Sequence, residues 1–277
     1  MKGKRHNSGM KTVLIVGSSH GIGYACAKKF LAEGYRVMAL SRTECVLAGV
    51  KNYLCDVSDP EKLGETLDLV AQEAPSLDFF IYSAGFSMAS PLEHVESADY
   101  RYLFEVDFFG FTECLRRLIA PLRHACGAAC VISSLGSVAL IPFDSYYTAA
   151  KAALNAFCLA LQAELRPRGV RVFSVLPGGT RTDFTFKRKV YPPEKTGDYK
   201  SAQERAVGIL AEIEQNGQSA EKAAKYVYEK FVQNGKSVLY VPGIKNKLIY
   251  FATKTLPQRL ILFLTREKFF TSTFDRR

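Results

Sequence analysis

The segment 145–154, SYYTAAKAAL, sets two adjacent tyrosines ahead of a single lysine. A helix brings residues three and four apart onto one face, so Tyr147 and Lys151 stand one above the other while Tyr146 has Ala150 at that spacing. A phenol with an ordinary pKa of about 10 exchanges protons poorly at neutral pH, and a cation one turn away favours its phenolate form. On a solvated helix face the same pair is a surface contact of little worth, so its setting decides its meaning. A second candidate is VGSSHGIG at 16–23, where Gly17, Gly21 and Gly23 enclose Ser19, His20 and Ile22. Glycines permit a sharp turn and let backbone N–H groups approach a pyrophosphate at the positive end of a helix. The spacing is G-x-x-x-G-x-G, which differs from the dinucleotide fingerprint G-x-G-x-x-G and alone is equally an ordinary turn.

Seven short apolar runs could position these groups: 12–17, 36–40, 52–55, 77–83, 128–134, 170–176 and 236–241. They are rich in β-branched or aromatic residues and bounded by Gly, Pro, Asp or Ser. Between them lie helical patterns such as IGYACAKKFLAEG and YYTAAKAALNAFCLALQAEL. Strands alternating with helices predict an α/β fold, a doubly wound parallel sheet with helices on both faces. The expected organisation is a basic segment 1–11, one domain over 12–242 and an apolar, basic tail 243–277. Residues 183–218 interrupt the rhythm with a Pro-containing loop and an amphipathic helix, as insertions over binding sites do.

Six motifs then occur in order: the glycine turn, CDVSD after the third strand, YSAG after the fourth, a serine after the fifth, Y-x-x-x-K, and PGGTRT after the sixth. Together they resemble the compact type of short-chain dehydrogenase/reductase over residues 12 to about 242, loosely its hydroxysteroid, retinol and ketosphinganine reductase members. The resemblance implies a seven-stranded Rossmann domain and hydride transfer between a nicotinamide cofactor and a carbonyl or alcohol. It assigns the substrate oxygen to Ser134, thirteen positions before the tyrosine, proton transfer to Tyr147, and support of the phenolate and the cofactor ribose to Lys151. Cofactor contacts carried over by position are the glycine turn with Ser19, His20 and Ile22; Asp56 and Val57 at the adenine; Ser83, Ala84 and Gly85 along the ribose; and Pro177, Gly178, Thr180 and Thr182 at the carboxamide. Asp56 could instead cap a turn, and His20 could be a turn residue only.

Two positions depart from the family pattern. Ser83 replaces an asparagine, and Asp107 replaces the asparagine that completes a proton relay to the lysine. An aspartate keeps size and acceptor but loses the amide donor and adds a charge near Lys151. The second strand ends in Ser41 and Arg42 with no carboxylate, which suits a 2′-phosphate and predicts NADP(H) over NAD(H). The alternative to an enzyme is a catalytically impaired nucleotide-binding or interaction module on the same fold.

Charge narrows the partners. Residues 1–11 hold four positive charges and residues 243–277 a net of six, which together account for the whole +10. A neutral body with two basic ends is not a nucleic-acid-reading face. The seven cysteines lack paired spacing, and Cys126, Cys130 and His124 match no zinc pattern, so reduced thiols and no metal are expected, in a cytoplasmic setting. No run long enough to span a membrane or to resemble a secretory signal is seen. The tail suits packing on its own domain, on a second subunit, or peripherally in a membrane interface. Pro257 should split it into two pieces. Phe86, Met88, Phe184, Phe186, Val190 and Tyr191 are expected to form an apolar pocket for a small hydrophobic carbonyl or alcohol. A homodimer or homotetramer follows from the resemblance.

Overall fold

In the computed structural model, which describes residues 10–270, the seven runs become seven strands of one sheet: β1 Thr12–Val16, β2 Arg36–Ser41, β3 Lys51–Leu54, β4 Phe79–Tyr82, β5 Ala128–Ile132, β6 Arg171–Val175 and β7 Leu239–Tyr240. Every pairing is parallel and the order is β7-β6-β5-β4-β1-β2-β3. Chain order reverses between β1 and β4, which opens a crevice beyond their carboxyl ends. Most of the basic segment 1–11, and the end of the tail from 271, lie outside the described residues.

Both faces of the sheet are covered, so the central strands read as unbroken apolar runs rather than alternating ones. Val13 and Ile15 point into one layer with Phe30, Ile81 and Phe173, under α1 Gly21–Ala32 and α7 Ala220–Val232. Leu14 and Val16 point into the other with Met38, Phe80 and Leu154, under α2 Pro60–Glu73, α4 Gly110–Ala125 and α5 Ser145–Leu165. Helix α2 starts where Asp59 accepts the Lys62 N–H at 3.0 Å, one residue before Pro60 in the first turn.

Residues 97–125 form a longer helical run than the periodicity predicts. Helix α3 Ser97–Phe104 passes through one π turn, Glu105–Phe109, directly into α4. The buried Tyr82 hydroxyl donates to the Val106 carbonyl at 2.5 Å, and a side chain on Gly110 would meet that hydroxyl. The π turn carries Asp107.

The insertion is pinned at both ends. Short strand Lys189–Val190 pairs with Met88–Ala89, and Gln218–Ser219 pairs with Thr180–Arg181. Between them α6 Lys200–Gln215 lies beside the sheet's carboxyl edge. The tail forms α8 Ile244–Thr255 and α9 Gln258–Phe270, interrupted at Leu256–Pro257 as Pro257 requires. Phe269 packs with Ala206 and Leu210 of α6, so the tail docks in part on its own domain. Among the described residues no helix is long and apolar enough to cross a membrane.

Candidate active site

At the carboxyl edge of the sheet lies one cleft of about 1570 Å³. That exceeds the ~300–1,000 Å³ usual for one ligand and leaves room for a dinucleotide plus a second molecule. The catalytic and cofactor-binding candidates from the sequence all line it except Gly23 and Asp107, which are buried behind its wall.

The floor is the glycine turn. Gly17 has φ +78°, and a Cβ on it would stand 2.5 Å from the Ala84 nitrogen, so only glycine lets the first turn pass under the strand-β4 turn. Gly23 has no room for a side chain because its Cβ would meet the Gly17 carbonyl oxygen, which brings α1 hard against the turn. His20 bonds its neighbour Ser19 through Nδ1 at 2.9 Å and caps nothing with its side chain.

At the end of β2, Ser41 is held by the Thr43 carbonyl at 2.7 Å and lies 3.3 Å from the Ser18 hydroxyl. The Arg42 guanidinium is exposed, with its Nη1 3.9 Å from Asp56. Asp56 itself accepts both the backbone N–H and the hydroxyl of Ser58, so it shapes a turn as well as lining the cleft. The positive-φ glycine cradle and a solvent-facing guanidinium fit a phosphorylated dinucleotide. Thr182 presents its hydroxyl to the Phe184 N–H at 3.2 Å.

The catalytic candidates converge from three elements. Ser134 follows β5; its hydroxyl accepts the Gly136 N–H at 3.0 Å, and it lines the cleft together with Tyr147. The adjacent serines are used differently: Ser133 donates to the Lys151 carbonyl and Ser137 to the Ser134 carbonyl. Tyr147 and Lys151 occupy successive turns of α5, with the ammonium 5.5 Å from the phenol ring centre. Tyr146 turns away and stacks on Tyr100 with ring centres 4.8 Å apart.

Asp107 does more than replace an amide. Its Oδ1 lies 2.7 Å from Lys151 Nζ, and its Oδ2 accepts the Phe86 N–H at 3.0 Å. The carboxylate is fully buried and the ammonium nearly so. Burial raises the Asp107 pKa, opposed by the Lys151 charge and bond and by the Phe86 N–H. The Tyr147 phenol is pushed well up, first by burial and then by the negative charges of Asp107, Asp144 and Glu214, against the pull of Ser134. Gly85 has to be glycine, since a Cβ there would press on both Asp107 and Lys151.

The expected apolar pocket is only partly formed by the residues predicted for it. Phe184 packs on Tyr147 with ring centres 5.9 Å apart, and it and Phe86 line the cleft. Met88 and Tyr191 belong instead to the core, the Tyr191 hydroxyl accounting for the Glu96 N–H, while Phe186 and Val190 face solvent. The missing apolar wall comes from Leu140, Ile141, Ile209 and Ile213 and from tail residues such as Ile249 and Leu264.

A buried charged cluster also escaped sequence reading. Asp144, Ser87, Arg188 and Glu214 join at the cleft: the Ser87 hydroxyl donates to Asp144 at 3.1 Å, and Arg188 donates to Ser87 at 2.9 Å and pairs with Glu214 at 2.5 Å. Burial pushes the Asp144 carboxyl up to about 7, against the pull of Arg188 and Ser87. Ser87 and Arg188 lie 101 residues apart in sequence, and no local pattern links them.

Comparisons with known proteins agree with this geometry. The family described as short chain dehydrogenase matches residues 11–190, so the chain belongs to the short-chain dehydrogenase family, whose reaction class is NAD(P)(H)-dependent oxidoreduction. The chain is 32% identical over 189 residues to the NADPH-dependent 1-acyldihydroxyacetone phosphate reductase of Saccharomyces cerevisiae, covering 64% of each, and so spans just under two thirds of that protein. It is 29% identical over 210 residues to a 3-ketodihydrosphingosine reductase of Bacteroides thetaiotaomicron, covering 74% of this chain and 77% of that one. Among solved structures, a short-chain dehydrogenase from Streptomyces avermitilis superposes with a TM-score of 0.79 at 24% identity over 94% of this chain and 97% of that one. A short chain dehydrogenase from Burkholderia cenocepacia in complex with NADP gives 0.73 at 24% identity, over 92% and 97%.

Proposed function

We propose that this protein is an NADP(H)-dependent reductase of a carbonyl carried on an apolar chain. The observation that carries the reading is the convergence of Ser134, Tyr147 and Lys151 on one cleft beside a glycine cradle. NADP(H), held along Gly17–Gly23, Ser41–Arg42, Asp56–Val57, Ser83–Gly85 and Pro177–Thr182, supplies the hydride when bound. The Ser134 hydroxyl donates a hydrogen bond to the substrate oxygen, and Tyr147 donates the proton to it. Lys151 holds its ammonium beside the phenol ring and stabilises the phenolate left behind. Asp107 acts through Lys151 as a positioning residue, fixing the ammonium and tempering its charge.

The same charges favour the form of the phenol that acts in reduction. A phenol pushed up by burial and flanked by buried carboxylates keeps its proton at neutral pH, the form that reduction needs. Arg42, with no acid of its own strand beside it, supports the 2′-phosphate, as does a structural neighbour in complex with NADP. Relatives named for 1-acyldihydroxyacetone phosphate and 3-ketodihydrosphingosine support a ketone on a long apolar chain. Assembly as a homodimer or homotetramer, a cytoplasmic location and peripheral contact with a membrane through 243–277 complete the reading.

A second reading is favoured by one observation: the buried Asp107–Lys151 pair occupies the lysine, as in a nucleotide-binding module with impaired chemistry. Following NADPH absorbance with a panel of hydrophobic ketones separates the two. Turnover is expected, with Tyr147→Phe slower by about 10²–10⁴-fold while NADPH binding survives. Equal rates for both proteins would sink the mechanism, and NADPH binding without turnover on any ketone would favour the module.

A further inference from the structure

The outer face of the α8–α9 pair is apolar and uncovered by any described residue. Ile244, Leu248 and Phe251 follow helical spacing and are 79%, 65% and 65% exposed, and Leu262 and Phe263 of α9 are about half exposed. Lys245, Lys247, Lys254, Arg259, Arg266 and Lys268 flank them, against the single carboxylate of Glu267. Contiguous exposed apolar groups mark a contact surface, and their mixture with cations matches a headgroup boundary over hydrocarbon. A second copy of the chain is the poorer occupant: a two-fold interface through this face would set the same cations against one another.

The inner face of the same helices bounds the cleft through Ile249, Ala252, Leu256, Ile261 and Leu264. Lys268, its pKa lowered by burial and then by Lys245, also lines the cleft. We infer that α8 and α9 dock the protein on an anionic phospholipid surface and form the portal through which an apolar chain passes from the bilayer into the cleft. The docking half gives the membrane contact proposed above its residues and its lipid class, from the outer face; the portal half rests also on the substrate class proposed above.

Cosedimentation of the full chain with vesicles tests the docking. The protein should pellet with phosphatidylcholine vesicles containing about 30 mol % phosphatidylserine and far less with phosphatidylcholine alone or at high salt. Leu248→Asp with Phe251→Asp should reduce binding at least ~tenfold, and Lys247→Gln should cost about fivefold, with melting curves checked in parallel. Hydrogen exchange on the unmodified protein should slow within 244–264 when vesicles are added, a readout that needs no variant. Absence of binding to both vesicles, binding by the double variant equal to the parent, or unchanged exchange would each overturn the docking. So would a double variant that splits an oligomer in lipid-free buffer yet still pellets, which would assign the face to a second copy. For the portal, the double variant should lose rate on a long-chain ketone dissolved in the vesicles and keep it on a short ketone in buffer; equal loss on both overturns the portal. If no ketone is reduced by any form, the proposed reaction and the portal fall and the vesicle result still decides docking.

Discussion

Asp107→Asn probes the centre of the site with almost no change in shape. The carboxamide oxygen can still accept the Phe86 N–H, but Lys151 loses the counter-ion now 2.7 Å from its ammonium. At an effective dielectric of about 20, an unneutralised charge 5.5 Å from the phenol ring favours phenolate by about 3 kcal/mol, or about two pKa units. Asp107 cancels most of that in the parent protein, and its own negative charge raises the phenol further. Ketone reduction needs the protonated phenol, so activity is present below the Tyr147 pKa and lost as pH rises through it. The variant should therefore lose kcat/KM for reduction about two pH units earlier on the alkaline side. Alcohol oxidation, which needs phenolate, should gain at neutral pH by a comparable factor. The assay is kcat/KM against pH in both directions with saturating NADP(H). An unpaired buried ammonium also destabilises the fold, by up to ~3–5 kcal/mol, so the melting temperature should fall. A lower melting temperature with superimposable pH profiles would refute the electrostatic role and leave the pair purely structural.

Arg42→Ala should weaken NADPH by about 10–100-fold, as expected for loss of a charge-assisted contact, and leave NADH nearly unchanged; a constant ratio in parallel titrations removes Arg42 from cofactor choice. Asp144 makes a stability prediction. Its carboxyl sits at about 7 in the folded protein against 3.8 ordinarily, so the folded chain keeps a proton that the unfolded chain releases. The stabilisation is full below about pH 4 and disappears as pH rises through 7, with an upper size of about 4 kcal/mol. Thermal unfolding across that window should show Asp144→Asn gaining on the parent as pH increases, and parallel curves would contradict it.

Much of the architecture was readable because burial imposes patterns on neighbouring residues. The unbroken VLIV of β1 reflects a strand covered on both faces, and Pro257, which has no backbone N–H to donate, separates α8 from α9. Strand ends were less readable: β7 keeps only Leu239 and Tyr240 of a longer predicted run, since pairing with β6 alone defines its limits. Helical spacing was enough to separate Tyr147 from Tyr146, because the lysine lies on one face only.

The sequence by itself determined the parallel doubly wound sheet, the glycine turn and the order of groups along its carboxyl edge, all of which depend on periodicity and on residues close in the chain. Only the tertiary structure decided that Asp107 closes on Lys151, that Asp144, Ser87, Arg188 and Glu214 share one buried cluster, and that the tail turns one face to the cleft and the other outward. Those contacts join distant segments through packing, and a charge reveals its cost and its partner only once the surrounding water has been removed.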